Sequence, residues 1–190
     1  IAKMAVHRLL APILKDDHLH LICHEGEFDD LIADLATHKL DLVLADHAPA
    51  LSLNFKVQHQ IMATSAVSWY ATPLVAEQSV IDFPHCLAQL PVLLPTTHNA
   101  LRSRLKHWFE SERINPNVVG EFEDNALLTT FGISGMGVFP AADWLEDYLT
   151  QQHRLIKIAG CGDVVEHFHA IYTQRKVIHP LVSKLLMSSD

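Results

Sequence analysis

Short, wholly apolar runs alternate along this chain with stretches of helical spacing, and that alternation restricts the fold more than any other feature. Leu42-Val43-Leu44-Ala45, Val92-Leu93-Leu94, Val118–Phe122 and Gly137-Val138-Phe139 have the length and bounds of buried strands. Leu31, Ile32, Leu35 and Ala36 lie on one helical face, as do Leu101, Leu105, Trp108 and Phe109, and then Leu127, Leu128 and Phe131. Asp29 and Asp30 open the first of these helices and His38 and Lys39 close it, the charge order that the helix dipole favours. Leu19, Leu21 and Cys23 share a face and predict a strand over 19–23. Strand, helix and strand in such close succession form a βαβ unit, which implies a parallel sheet covered by helices.

The remaining elements extend the pattern. Val6, Leu9, Leu10, Ile13 and Leu14 predict a helix over about 4–14, which Pro12 is expected to bend or end early. A polar loop marked by Pro49, Ser52 and Asn54 precedes a strand at Val67–Ala71. Leu145, Tyr148 and Leu149 predict a further helix, Leu155–Ile158 and Phe168–Thr173 two late strands, and Leu181–Met187 a closing helix. Two βα series in tandem over 190 residues predict an α/β protein of two lobes sharing a cleft. A hydrophobic content of 49% supports a packed core and excludes a disordered tail.

Charge and cysteine usage narrow the function. With 14 basic residues against 22 acidic ones, the chain lacks the basic surface needed to hold nucleic acid by itself. Cys23, Cys86 and Cys161 are odd in number and far apart, which suits a reducing cytoplasm and gives no metal knuckle. No apolar run is long enough to span a bilayer, and no membrane contact is expected. Ile1 already stands within a helical pattern, as expected of a piece of a longer polypeptide.

Several constellations carry candidate chemistry. Gly132, Gly135 and Gly137 fall on a helix-to-strand turn, the wrong end of the dipole for a phosphate cradle. They predict a helix cap and close packing, and no cofactor is expected. Glu121, Glu123 and Asp124 beside Asn125 lie at the carboxyl end of a strand, where open parallel sheets place ligand crevices. Asp46 ends the strand at 42–45, and Thr96 and Thr97 follow the strand at 92–95. Such carboxylate, amide and hydroxyl groups suit a small polar ligand or a hard cation, while Asp124 also reads as a helix N-cap. Fourteen histidines suggest a response to pH. His18 with His20, and His167 with His169, each form half of a metal site that nothing nearby completes, so no metal is expected. Arg102, Arg104, Lys106 and Arg113 make one helix basic, either as a partner surface or as a solvated face. A hydrolase built on Cys23 or Cys161 with a histidine has no local motif to support it.

In the order of these elements the chain resembles the C-terminal effector-sensing region of LysR-type transcriptional regulators. The stretch LIADLATHKLDLVLAD (Leu31–Asp46), the segment Val67–Pro73, Gly135–Pro140, and a late strand ending near Arg175 ahead of Pro180 carry the likeness. RLLAP (Arg8–Pro12), LIADLATHKLDLVLAD and VVGEFEDNALL (Val118–Leu128) further resemble members that activate transcription in response to sodium. The resemblance implies a type 2 periplasmic-binding-protein-like fold. Lobe I is then expected at 1–70 and 172–190, with its first strand missing, and lobe II at 71–171. An ion or small-molecule effector is expected between the lobes, touching Lys3, Asp46, Thr96, Thr97, Asn125 and Phe139, with Glu123 and Asp124 as neighbours. It also implies a homodimer, or a tetramer at full length, formed through the helices near 4–14 and 100–113. DNA contact would pass only through an N-terminal helix-turn-helix domain outside this chain. The domain would sense by differential binding and catalyse nothing, with sodium or alkaline pH as the signal. A solute-binding protein of the same fold is the alternative.

Overall fold

The computed structural model describes residues 1–49, 57–79, 82–173 and 179–188. Ser52, Asn54 and Arg175, used as landmarks above, lie outside them. The chain divides into two compact units, Lys3–Thr64 with His167–Asp190 and Ser65–Glu166. Within the first lie α1 (Lys3–Leu10), α2 (Phe28–Ala36), β1 (Val43–Ala45) and α6 (Pro180–Met187). The second holds α3 (Pro73–Ser79), β3 (Val92–Pro95), α4 (Ala100–Ser111), β4 (Val118–Phe122), α5 (Asn125–Ile133) and β5 (Phe139–Ala142). Two long strands, β2 (Val57–Ala71) and β6 (Ile156–Thr173), run through the chain's crossings from one unit to the other.

In the first unit, α1 stops short of the expected range. Pro12 brings no N–H, and the chain continues in tight turns, with Ile13 N donating to Leu10 O at 3.0 Å. The core gathers Ile32 and Leu35 of α2 against Val43, Ala45 and Ile171. The strand expected at 19–23 is not formed. Residues 20–27 are exposed and carry no ladder, although Leu21 and Ile22 stand among them. Alternation alone fixes no strand without a neighbouring edge to accept its hydrogen bonds. The expected parallel βαβ unit at 19–46 is therefore absent. β1 pairs antiparallel with β6 instead, Val43 opposite Ile171 and Ala45 opposite His169.

The second unit follows the sequence pattern more closely. β3 pairs parallel with β4, and Val138 bridges to Val92 in parallel just before β5, which pairs antiparallel with β2. Trp69, Leu94, Leu105, Trp108 and Val138 are buried in one core cluster, and Tyr70, Leu93, Leu128 and Phe139 in another. The glycines act as caps and spacers. Gly135 ends α5 at φ +87°, with its N–H on Gly132 O and the Met136 N–H on Phe131 O, the paired bonds of a Schellman turn. A Cβ on Gly132 would strike the Phe139 ring, and one on Gly137 the Pro91 carbonyl.

Two expectations are refined here. The helix expected through Leu145–Leu149 is formed but irregular: a 3-10 turn, Asp143–Leu145, runs through Glu146 and Asp147 into a π-helical turn, Tyr148–Gln152. Lys157 Nζ draws Asp143 (3.0 Å) and Glu146 (2.8 Å) together there, and Tyr70 Oη donates to Asp143 at 2.9 Å. The two late strands are one strand of 18 residues. Gly160, Gly162 and Asp163 interrupt its alternation, and Gly162 turns to φ +56° beneath the Trp108 indole.

Candidate functional site

The carboxyl ends of β3 and β4 deliver the densest group of expected site residues. Parallel pairing brings both strand ends to the same side, because neighbouring parallel strands share a direction. Pro95 is register partner to Phe122, and Thr96 N donates to Phe122 O at 3.0 Å, extending the ladder by one bond. Past these ends the chain enters the N-termini of α4 and α5. Asn99 caps α4, its side chain accepting from Leu101 N at 2.9 Å. Asp124 caps α5, Oδ1 accepting from Ala126 N at 2.5 Å and Leu127 N at 2.9 Å. The amides of Asn99 and Asn125 meet at 3.5 Å. Thr96 Oγ1 is buried and has no hydrogen-bond partner among the described residues, a state that leaves a donor and an acceptor for an outside group.

One cation organises the cluster. Arg102 Nη1 donates to Pro95 O at 3.0 Å and meets Glu121 Oε1 at 2.5 Å, tying the two strand ends together through charge-assisted bonds. Arg102 and Asn99 are the residues that the sequence reading did not place in the site. Their signals were present: Asn99 precedes the helical run as a preferred cap. Arg102 occupies the third helical position, where the dipole favours an acid.

The other expected residues stand at the edge of this cluster, beneath it or in the other unit. Thr97 and Glu123 are exposed beside it. Phe139 is fully buried beneath α5, packed against Tyr70 at a ring separation of 6.3 Å, so it supports the cluster from the core and presents nothing at the surface. Lys3 and Asp46 belong to the first unit. Lys3 pairs with Glu25 at 3.4 Å. Asp46 bonds to His47 Nδ1 at 2.7 Å, and although burial pushes its carboxyl up, that bond prevails and holds it below the ordinary range.

Burial pushes the Cys161 thiol up to about 12, which leaves almost no thiolate near neutrality. His167 Nδ1 bonds to Thr64 Oγ1 at 2.9 Å, and no group of three or more His, Cys, Asp or Glu among the described residues could hold a metal ion. On the basic helix, Arg104 Nη1 donates to Val165 O at 2.7 Å and Lys106 pairs with Glu110 at 3.9 Å. That surface is thus largely engaged within the chain. No helix among the described residues is long and apolar enough to cross a membrane.

An α/β fold that gathers polar groups beyond parallel strand ends, the unpartnered Thr96 hydroxyl among them, has the layout of a small-ligand-binding domain. The comparisons specify which: the model of the LysR substrate binding domain matches residues 5–187, and the chain belongs to that family. It is 28% identical over 187 residues to the transcriptional activator protein NhaR of Escherichia coli, covering 97% of this chain and 61% of NhaR. Among solved structures it resembles the regulatory domain of HypT from Salmonella typhimurium, with a TM-score of 0.71 and 11% identity over 95% of this chain and 86% of that one. It also resembles Vibrio fischeri DarR in complex with DNA, with a TM-score of 0.72 and 13% identity over 98% of this chain and 64% of that one. The chain thus spans about three-fifths of NhaR, and it is a regulatory, effector-binding domain whose relatives are transcriptional regulators and not enzymes.

Proposed function

We propose that this chain is the effector-sensing and dimerisation domain of a cytoplasmic LysR-type transcriptional activator that answers to sodium or alkaline pH. The observation that carries the effector site is the buried, unpaired Thr96 hydroxyl beside the Asn99–Asn125 amides at the ends of β3 and β4. Thr97, Glu123 and Asp124, in the same unit, are the polar neighbours assigned to the same task. An effector that binds one conformation of the domain better than another shifts its population by that difference in affinity alone. DNA would be reached through a helix-turn-helix domain elsewhere in the full-length protein. The sodium assignment rests on likeness to NhaR over nearly the whole chain and on the three stretches quoted above.

The test is a titration of sodium against potassium at constant ionic strength, followed by tryptophan fluorescence and by the unfolding midpoint. A saturable change with sodium alone is expected. Equal responses to both ions remove the direct-cation reading.

A further inference from the structure

Two helix N-termini and a guanidinium converge beyond β3 and β4, a combination that ordinarily attracts anions. In this chain each positive element is already answered from within. Asp124 accepts from the first free N–H groups of α5, and Glu121, itself half exposed, lies on Arg102. Glu123, exposed between them, adds a third carboxylate. α4 is capped by a neutral amide. What stays open is uncharged: the buried Thr96 hydroxyl and the amide pair of Asn99 and Asn125. An incoming carboxylate or phosphate would have to displace one acid while facing the other two, whereas a hydroxyl or a cation displaces none of them and finds carboxylate oxygens that already offset Arg102 and the α5 N-terminus.

We propose that Glu121 and Asp124 are built-in counter-anions that make this end of the Ser65–Glu166 unit turn away anionic effectors, so that its ligand is a small uncharged or cationic molecule. The inference rests on the effector site proposed above and adds its charge selectivity. It makes Arg102 a latent anion site that Glu121 masks.

Calorimetric titration of inorganic phosphate into the chain, at ionic strength matched with chloride, tests it. Glu121→Gln unmasks Arg102, and Asp124→Asn removes a charge while keeping a residue that caps as well as aspartate. Wild type is expected to show no saturable phosphate heat. The double variant is expected to bind phosphate saturably, at least about tenfold more tightly than the weakest binding the wild-type titration could have detected, and adding Arg102→Gln is expected to abolish the gain. Saturable phosphate binding by wild type, or no gain in a double variant whose circular dichroism matches wild type, overturns the proposal. Should the double variant unfold, Glu121→Gln alone decides, since it leaves both helix caps untouched: a weaker gain supports and no gain overturns. Phosphate reads the charge at the strand ends whether or not the sodium titration succeeds, so the two readings fail separately.

Discussion

The stretch from residue 20 to 27 and the strand β4 have much in common, yet only one of them is a strand. Leu21 and Ile22 are 44% and 65% exposed, and Val118 and Val119 of β4 are 37% and 43% exposed. Burial of those apolar side chains therefore does not separate the two. The backbone does. β4 lies beside β3 in register from Val92–Val118 to Pro95–Phe122, whereas residues 20–27 have no ladder partner among the described residues. Amphipathic alternation states what a strand would bury, and a neighbouring edge decides whether it forms. The same difference separates the two units. One has β3, β4 and the Val138 bridge as a parallel scaffold that places polar groups at fixed strand ends, whereas in the other the three-residue β1 is laddered antiparallel to β6.

If the scaffold of the second unit is what the first lacks, its core should be the most sensitive place in the chain. Phe139 is fully buried, fills the space left by Gly132 and stacks near Tyr70. Phe139→Ala is expected to cost about 3–5 kcal/mol in urea unfolding, from lost transfer energy and the cavity together. A loss under about 1 kcal/mol would mean that the site collapses around the gap and that α5 does not depend on it.

Much of the second unit was legible because its signals are local. Asp124 as a cap, Gly135 as a helix stop and the apolar runs of β3 and β4 each follow from a few neighbouring residues. The failures lie where long-range pairing overrides local pattern. The polar half of β2, Val57–Thr64, has no clean alternation and is held by the sheet. β6 continues through Gly160 and Gly162, which interrupt its alternation and divide it into two runs in the sequence. The π-helical turn at Tyr148–Gln152 follows a turn knotted by Lys157, Asp143 and Glu146, a contact between elements that no spacing rule encodes. In the site, sequence reasoning chose acids and hydroxyls by position after a strand. It passed over Arg102, whose role depends on a carbonyl and a carboxylate from two separate strands. Phe139 was chosen by family likeness and proves to be core.

The Lys157 network offers a second, smaller way to sharpen the contrast. Burial pushes Asp143 up, but the hydrogen bonds from Lys157 and Tyr70 and the Lys157 charge prevail, so its carboxyl lies below the ordinary 3.8. A depressed carboxyl contributes stability that is present above its unfolded value and is lost as pH falls through the folded one. Lys157→Met is expected to cost about 1 kcal/mol at neutral pH, the scale of partly exposed ion pairs. It should also flatten the acid limb of the stability curve, the two proteins converging as pH falls, because Asp143 loses its main cationic partner and with it the depression that made its contribution pH-dependent. Identical acid limbs in the two proteins would show that the network does not couple to folding.

The smallest effect is expected where the pattern looked like a strand and is not one. Ile22→Ser removes a β-branched apolar residue from a sequence that alternates, and in a paired strand facing a core it would be costly. Exposed and without a ladder, the position should change stability by no more than about 0.5 kcal/mol. Its neighbour Cys23 supplies an independent readout. Cys23 is exposed, whereas Cys161 is buried with its thiol pushed up to about 12. Iodoacetamide at pH 8 should therefore modify Cys23 in the native protein and leave Cys161 intact until unfolding, since only an accessible thiolate reacts. A destabilisation above 1 kcal/mol for Ile22→Ser, together with a protected Cys23, would show that residues 20–27 are laddered in solution. The two regions would then differ in their partner, not in whether they have one.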